Sequence, residues 1–169
     1  MTIGLCFFSE IKYLQSIEIS NSSSMGKVKD ILKAKAAHVG AIFSVEPDTI
    51  VYKAIELMSE KNIGGLLITE NGKLVGIFTE RDYARKLILK GKSSKDTSIG
   101  ELMTKSPFTV NSESSIEECM QIMSDKRFRH LPVVDNDTLI GIISIGDVVR
   151  FIIEEQKSII EHLEGYISR

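Results

Sequence analysis

The chain has 169 residues, of which 43% are hydrophobic, so it is long enough to bury a core as one domain or as two small ones. Its formal net charge of −2 gives no general electrostatic reason to bind nucleic acid or an anionic membrane surface. Its two cysteines make no disulfide framework, no Cys/His pair has zinc-ligand spacing, and no apolar run approaches the roughly 20 residues of a membrane span.

The first 24 residues differ from the rest of the chain. They begin with an apolar stretch that lacks a basic leader, and they contain too few basic residues for a transit peptide. They end in the linker-like sequence NSSS, after which Met25 opens a more ordinary globular sequence. We therefore expect residues 1–24 to be a flexible extension, either native or the product of an upstream start.

An internal repeat dominates the remaining sequence. Residues 43–82 align without a gap to residues 108–147, at an offset of 65, with identical pairs such as Gly76/Gly141 and Asp82/Asp147. Upstream, VKDIL at Val28 matches IGELM at Ile99 at an offset of 71. The first copy therefore carries six extra residues around AKAAHVG, in a loop that the second copy lacks.

Each copy predicts a strand, a helix, two strands and a closing helix. In the first copy, Asp48 or Thr49 is the predicted cap of a helix whose apolar positions run from Val51 to Met58 at helical spacing. The runs LLIT and LVGIF, joined by Asn71-Gly72, predict a hairpin. A closing helix is predicted from Tyr83 to Lys90, ending near Gly91.

The second copy repeats this order with a different cap and a longer tail. Ser114 and Glu117 form a predicted capping box before a helix that holds the core residue Cys119. The runs LPVV and LIGII predict the second hairpin, with a turn at residues 135–137. The tail adds an apolar stripe, for which packing on the chain's own core is the alternative to a partner surface: Ile152, Ile159, Ile160, Leu163, Tyr166 and Ile167.

A hydroxyl and a carboxylate three residues apart end the second hairpin strand of each copy. Thr79 precedes Asp82 in GIFTERD, and Ser144 precedes Asp147 in GIISIGD. A single such pair is explained by helix capping, but its recurrence at one repeat position also suits a ligand. A helix start and a hydroxyl can donate to a phosphate, while a carboxylate can accept from the hydroxyls of a ribose. The pattern thus favours a nucleotide site.

The repeated pattern of Gly, two apolar residues, Ser or Thr, two variable residues and Asp resembles tandem cystathionine-β-synthase (CBS) domains. The resemblance spans residues 27–153 and extends to small stand-alone CBS-pair proteins of bacteria and plant mitochondria. It implies an α+β fold with two β-α-β-β-α units packed through their sheets and a disc-like dimer of modules. It also implies CBS domains at residues 25–91 and 92–153, followed by a C-terminal helix extension at residues 154–169.

Two clefts for adenine nucleotides are implied by the same resemblance. Residues carried over to the first cleft are Thr79 at phosphate or ribose, Asp82 on the ribose hydroxyls, Ser44, Val45, Ile63 and Gly64 at adenine, and Arg81 as an added cation. Residues carried over to the second are Ser144 and Asp147, Thr109 and Val110, Phe128, and the basic pair Arg129 and His130. A solvated basic patch is the alternative interpretation of the RFRH sequence.

The leading functional hypothesis is therefore a non-catalytic adenine-nucleotide sensor that modulates an unidentified partner protein and forms a homodimer. AMP is the first choice of ligand, with ATP or NAD(H) as alternatives and no catalytic cofactor. No nucleophile with a base, paired carboxylates or metal cluster supports an enzyme. A structural dimerisation module and a nucleic-acid-associated regulator are the alternatives, although no basic stripe supports nucleic acid. We expect a cytoplasmic protein, or a mitochondrial matrix protein in a eukaryote.

Overall fold

The computed structural model describes residues 26–36 and 42–167, in the predicted α+β class. The elements of the first copy are helix α1 (Val28–Ala36), strand β1 (Ser44–Val45), helix α2 (Val51–Lys61), strands β2 (Gly65–Glu70) and β3 (Lys73–Thr79), and helix α3 (Glu80–Asp82), which continues as a π-helical turn (Tyr83–Leu87) and a 3-10 turn (Ile88–Lys90). The elements of the second copy are a 3-10 turn (Ile99–Glu101), strand β4 (Thr104–Lys105), helix α4 (Ile116–Lys126), strands β5 (His130–Asp135) and β6 (Thr138–Ser144), and helix α5 (Ile145–Ile167). The predicted extension over residues 1–24 and most of the first-copy loop lie outside the described residues.

Both predicted hairpins are confirmed, and both turn through residues with positive φ. Asn71 and Gly72 have φ of 50° and 77°, while Asn136 and Asp137 have φ of 47° and 62°. This backbone belongs to tight hairpin turns, which favour Asn, Asp and Gly. Strands β1 to β4 form one sheet in that order, with β1 parallel to β2 and the other pairs antiparallel. Strands β5 and β6 form the second sheet.

The second copy keeps the predicted order except at its first strand. Residues 108–110 form no strand, although they correspond to β1 and the residue before it. Among these three residues, only Val110 takes part in an isolated β-bridge. The second copy instead contributes β4 to the sheet of the first copy, where Lys105 pairs with Gly76. A side chain at Gly76 would meet Met103 Sδ and the Thr104 carbonyl, so the close approach of β4 requires glycine there.

Two predicted helix caps were wrong, and the closing helix of the first copy begins earlier than predicted. The residue before α2 is Ile50, whose side chain caps nothing. The cap of α4 is Ser115 rather than Ser114, since Ser115 Oγ accepts a hydrogen bond of 3.0 Å from Glu118 N. The closing helix starts at Glu80 with Thr79 as its cap, and it ends at Gly91 as predicted.

The observed caps differ from the predicted ones because a segment at the start of each copy, its leading segment, docks on the helix of the other copy. We define the first leading segment as residues 26–36 and the second as residues 97–105. Three backbone hydrogen bonds join each leading segment to the helix start of the other copy, at repeat-equivalent positions. They are Val28 N to Ser114 O, Lys29 N to Ser112 O and Ile116 N to Gly26 O, matched by Ile99 N to Thr49 O, Gly100 N to Pro47 O and Val51 N to Thr97 O.

This exchange supplies partners for backbone groups that a helix end leaves unsatisfied. At the start of α2, Val51 N and Tyr52 N donate to the carbonyl groups of Thr97 and Ser94, which explains why no side-chain cap is needed. Ion pairs hold the first leading segment as well, because Lys27 and Lys29 both contact the Glu113 carboxylate, at 2.6 and 2.9 Å. Hydrogen bonds from these two lysines lower the pKa of Glu113 to about 2.

The chain accordingly divides into two compact units that do not follow the repeat. The first unit contains the described residues 42–109 and 132–141, and the second contains 26–36, 110–131 and 142–167. The core of the first unit consists of Val51, Ala54, Met58, Leu66, Ile68, Phe78, Leu87, Ile99 and Leu102. Two of these residues, Ile99 and Leu102, belong to the second leading segment. Buried residues of the second unit include Val28, Ile31, Ile116, Cys119, Met120, Met123, Ile143 and Val148.

Two further predictions can be compared with the described residues. Cys119 is fully buried, as predicted, and burial raises the pKa of its thiol to about 12, so it is a core residue. None of the helices in residues 26–36 and 42–167 combines the length and the apolar character that a membrane span needs.

Candidate functional site

The first hydroxyl–carboxylate corner lies where β3 passes into α3. Asp82 Oδ2 accepts hydrogen bonds from Thr79 Oγ1 at 2.7 Å and Thr79 N at 3.0 Å. Asp82 N donates in return to Thr79 Oγ1 at 3.3 Å. The pair is therefore a reciprocal capping box, in which each side chain satisfies a backbone N–H of the other residue.

The second corner, where β6 passes into α5, has nearly the same geometry. Asp147 Oδ2 accepts from Ser144 Oγ and Ser144 N, both at 2.8 Å, and Asp147 N donates to Ser144 Oγ at 3.2 Å. A backbone hydrogen bond ties each corner to the residue before the first strand of its hairpin: Glu80 N to Gly64 O before β2, and Ile145 N to Arg129 O before β5. The repeat therefore builds one local structure twice, and capping accounts for the hydrogen bonds between the hydroxyl residue and the aspartate of each corner.

Each carboxylate also forms an ion pair with a lysine that the sequence did not single out. Lys86, one helical turn beyond Asp82, lies 2.8 Å from Asp82 Oδ1. Lys35, from α1, lies 2.8 Å from Asp147 Oδ2. The spacing of Asp82 and Lys86 is a signal that sequence reading can detect, since residues four apart meet on a helix. Lys35 is 112 residues from Asp147 and has no such signal.

The two lysines are not repeat equivalents. The position that matches Lys86 in the second copy is Phe151, and the position that matches Lys35 is Ser106. Their surroundings differ too. Lys86 Nζ also donates to Leu102 O at 2.9 Å and Thr104 Oγ1 at 3.1 Å, whereas Lys35 Nζ also donates to Ile142 O at 3.0 Å. Two corners with the same backbone thus have different side-chain electrostatics.

The ionised form of Asp147 is favoured by this arrangement. Burial alone raises the pKa of this carboxyl, but hydrogen bonds from Lys35 and Ser144 outweigh burial, so the pKa of Asp147 lies below its ordinary value. Asp147 and Lys35 are both largely shielded, with side chains that are 15% and 26% exposed. A charged acceptor is therefore present at the second corner at neutral pH.

A surface pocket of about 610 Å³ adjoins the first corner. Its lining includes Ile63 and Gly64, which were predicted to contact adenine, together with Glu80 and Tyr83 from the turn after the corner. Helix α2 and the residue that caps its end supply the remaining lining residues: Ile55, Met58 and Ser59 of α2, and Asn62. Sequence reasoning assigned Ile55 and Met58 to the apolar face of the helix and did not single out Ser59 or Asn62.

The other adenine residues predicted for the first site lie on β1, away from this pocket lining. Ser44 and Val45 pair with Leu67 and Ile68 of β2, whereas Thr79 pairs with Gly65 at the start of that strand. Ser44 Oγ accepts a hydrogen bond of 3.3 Å from Thr69 Oγ1. The structure thus brings together four residues of the predicted set at the first corner: Ile63, Gly64, Thr79 and Asp82. Ser44 and Val45 do not line the pocket.

At the second corner, the predicted residues differ in accessibility. Val110 is 6% exposed, so its side chain belongs to the core, whereas Thr109 is exposed. Phe128 is 38% exposed and available for contact with a flat ring. Arg129 is exposed, and Arg81 and His130 are half-buried with interactions of their own. The described residues contain no cluster of His, Cys, Asp and Glu that could hold a metal ion.

A helix-and-hairpin unit that occurs twice, each copy ending in the same hydroxyl–carboxylate corner, defines a tandem-repeat domain protein. The chain matches the family of the CBS domain over residues 28–89 and 99–154. It therefore belongs to the CBS-domain family, as the sequence pattern indicated.

Named relatives agree with this assignment. The chain is 39% identical to the CBS domain-containing protein CBSX3, mitochondrial, of Arabidopsis thaliana, over 83% of this chain and 71% of that protein. A solved CBS-domain protein from Burkholderia ambifaria MC40-6 is 47% identical, with a TM-score of 0.74 over 78% of this chain and 96% of the other. A crystal structure of CBSX2 in complex with AMP is 32% identical, with a TM-score of 0.59 over 68% and 90% of the two chains.

Proposed function

We propose that this protein is a non-catalytic regulator that binds an adenine nucleotide and transmits binding to a partner protein. The observation that carries the proposal is the repeated corner, in which Asp82 and Asp147 hold a carboxylate beside a hydroxyl in matching geometry. A carboxylate in this position can accept hydrogen bonds from ribose hydroxyls. The AMP complex of CBSX2, a similar chain, supports the same ligand class.

We expect AMP to be the preferred ligand, with ATP or NAD(H) as the alternatives. Arg81 lies within the first corner, and the Arg129 backbone carbonyl accepts a hydrogen bond from Ile145 N at the second. A cationic surrounding favours a phosphate-bearing adenosine over a cationic one such as S-adenosylmethionine. Sensitivity to AMP, and through it to cellular energy state, would be the regulatory signal. Because regulation needs only differential binding to two states of the protein, no catalytic residue is required.

Calorimetric titration of the full chain with AMP, ATP, NADH and S-adenosylmethionine tests this proposal. Micromolar binding of one of the three anionic nucleotides, and weaker binding of S-adenosylmethionine, is the expected result. Adenine and ribose 5-phosphate serve as controls that carry only one half of AMP. Binding of S-adenosylmethionine without any binding of AMP, ATP or NADH would contradict the proposal.

A second candidate function is a structural interaction module without a ligand. It is favoured by the hydrogen bonding of the corners, because Thr79 and Ser144 are already engaged in capping. The exposed apolar residues on α5 give such a module a surface for association. The same titration separates the two functions, since an interaction module would show no saturable heat with any of the four compounds.

We further propose that the protein acts as a homodimer through α5 and forms the disc-like assembly that the family resemblance implies. A cytoplasmic or mitochondrial matrix location is proposed with it, the second because one similar chain is mitochondrial by name. The sequence boundaries of the CBS domains at residues 25–91 and 92–153 remain a prediction, as does the partner protein.

A further inference from the structure

The closing elements of the two copies each leave an apolar surface exposed. Leu87 and Ile152 occupy equivalent repeat positions and are 1% and 9% exposed, so each attaches its element to the core of its own unit. The next residues, Ile88 and Ile153, are also equivalent, but they are 56% and 49% exposed. Beside Ile88, the side chain of Leu89 is 78% exposed. Each closing element thus has one face packed on its unit and one apolar surface open to solvent.

The apolar surface of the first unit lies in a basic part of the sequence. Residues 85–95, which we call the basic segment, contain five lysine or arginine residues and no aspartate or glutamate. Two of the lysines form ion pairs with carboxylates of the first unit. The other three cations take part in no ion pair among the described residues: Arg85, Lys90 and Lys95. Three positive charges are therefore left around the exposed Ile88 and Leu89.

The apolar surface of the second unit has the opposite charge. Residues 154–164 of α5 contain four glutamates and one lysine, a formal charge of −3 with histidine neutral. Glu155 lies four residues before Ile159, and Glu164 lies four residues after Ile160. Each of these carboxylates is therefore one helical turn from an exposed isoleucine, and both are themselves exposed. This part of α5 is an acidic surface with an apolar row.

These charges determine which surfaces of two chains can meet favourably. Contact between like surfaces would bring the basic segment against another basic segment, or α5 against α5, and like charges across an interface cost free energy. Contact between unlike surfaces covers the same apolar side chains and brings opposite charges together. A second copy of the chain carries both surfaces, so it has the chemistry of a complete partner.

We propose that α5 of each chain docks on the basic segment of a second copy, and that this contact forms the homodimer. The inference rests on the proposed homodimer and identifies the surfaces that form it. In a two-fold dimer the contact occurs twice, because each chain supplies one α5 and one basic segment. Contact of α5 with α5 would instead occur once and would leave both basic segments exposed.

Charge reversal of each surface, alone and in mixture, tests the proposal. One full-length variant carries Arg85→Glu with Lys90→Glu, and the other carries Glu155→Lys with Glu164→Lys. We expect each variant alone to dimerise about tenfold more weakly than the wild-type chain, or worse, because both of its contacts then join like charges. An equimolar mixture should form a one-to-one heterodimer of about wild-type affinity, since each of its contacts again joins a basic surface to an acidic one. Sedimentation velocity over a concentration series measures all three samples.

The alternatives give different results in the same experiment. If α5 docked on α5, the basic-segment variant would dimerise like the wild-type chain, and that result would overturn the proposal, as would a mixture that stays monomeric. Lys73→Glu with Lys126→Glu is the matched control, because it changes the net charge as much as the basic-segment variant does, at exposed lysines outside both surfaces. The control should dimerise like the wild-type chain. An equal loss in the control would show that net charge alone acts and would also overturn the proposal.

Failure of the inference can be distinguished from failure of the proposed homodimer. A wild-type chain that stays monomeric at tens of micromolar refutes both. A wild-type dimer whose charge-reversed variants also dimerise alone leaves the homodimer standing and refutes only the docking of α5 on the basic segment. Circular dichroism of each variant verifies that it is folded under the conditions of sedimentation.

Discussion

At the scale of single residues, the hydroxyl–carboxylate pair suits both helix capping and ligand binding, because both depend on hydrogen-bond acceptors and a hydroxyl donor. A helix start needs acceptors for its free N–H groups. Thr79 Oγ1 accepts from Asp82 N, and the Asp82 carboxylate accepts from Thr79 N. Capping uses one carboxylate oxygen, Oδ2, and the two copies differ in which oxygen their lysine contacts. Lys86 contacts the other oxygen of Asp82, Oδ1, whereas Lys35 binds the same Oδ2 of Asp147 that takes part in capping.

The Asp147 carboxylate should make the stability of the chain depend on pH. Its pKa in the folded state lies below the ordinary value of 3.8, so its stabilising effect is complete above that value and is lost as pH falls through the lower folded pKa. Asp147→Asn should therefore destabilise the chain by about 1–3 kcal/mol at pH 7 and by progressively less in acid. Urea unfolding between about pH 7 and pH 3 measures this difference.

The exposed carboxylate Asp48 provides the control for that measurement. It takes part in no ion pair among the described residues, so Asp48→Asn should change the free energy of unfolding by less than about 0.5 kcal/mol at any pH in the series. A constant penalty for Asp147→Asn across the whole series would contradict the prediction, since a packing defect does not titrate.

At the scale of elements, the exchanged leading segments explain where the helices begin. The start of α2 binds two backbone carbonyl groups, those of Thr97 and Ser94, and needs no side-chain cap. Helix α4 instead combines one backbone partner, Gly26 O, with the Ser115 side chain. The helices of the two copies thus begin at equivalent positions by different means. Capping rules alone predicted the wrong residue in both cases.

The position of the α4 cap can be verified with two neighbouring serines. Ser115→Ala removes the hydrogen bond to Glu118 N and should destabilise the chain by about 0.5–2 kcal/mol. Ser114→Ala removes only a 3.4 Å contact from Asn111 N, while the Ser114 carbonyl that binds Val28 N is unchanged. Denaturant unfolding should therefore rank Ser115→Ala as the more destabilising substitution. The reverse ranking would restore Ser114 as the cap.

At the scale of the whole molecule, α5 extends beyond the part of it that its own unit covers. Val148 and Ile152 are buried, but Ile159, Ile160 and Leu163 are 50% to 58% exposed, so the stripe does not pack back on the core along its length. The predicted stripe residues Tyr166 and Ile167 have side chains outside the described part of the chain. An exposed apolar row on a surface helix favours association.

We therefore predict that the full chain is a dimer at tens of micromolar and that a chain ending at Glu154 associates more weakly. Burial of the exposed row of α5 against a second copy removes apolar surface from water and supplies the driving force. Sedimentation velocity over a concentration series measures both chains. Ile160→Lys with Leu163→Lys should act like the truncation, and Lys157→Ala is a control that changes charge on α5 outside the apolar row. A monodisperse monomer of the full chain would contradict the prediction.

Much of the fold follows from the sequence alone, because its signals are local or repeated. The hairpins at Asn71-Gly72 and residues 135–137 depend on turn residues that tolerate positive φ, which the sequence states directly. The amphipathic helices depend on apolar spacing within a few turns. The ungapped repeat then makes each weak local signal occur twice, and the positions of both corners and membership of the CBS family follow from it.

Only the tertiary structure decided which segments exchange between the copies and what each aspartate contacts. Backbone hydrogen bonds such as Val51 N to Thr97 O carry no side-chain signature, so no residue pattern announces them. The ion pair between Lys35 and Asp147 joins residues 112 positions apart, and any surface lysine would have been an equal candidate before folding. The sequence by itself determined that there are two corners of one kind; tertiary packing decided that they differ, because it alone selects which cation reaches each carboxylate.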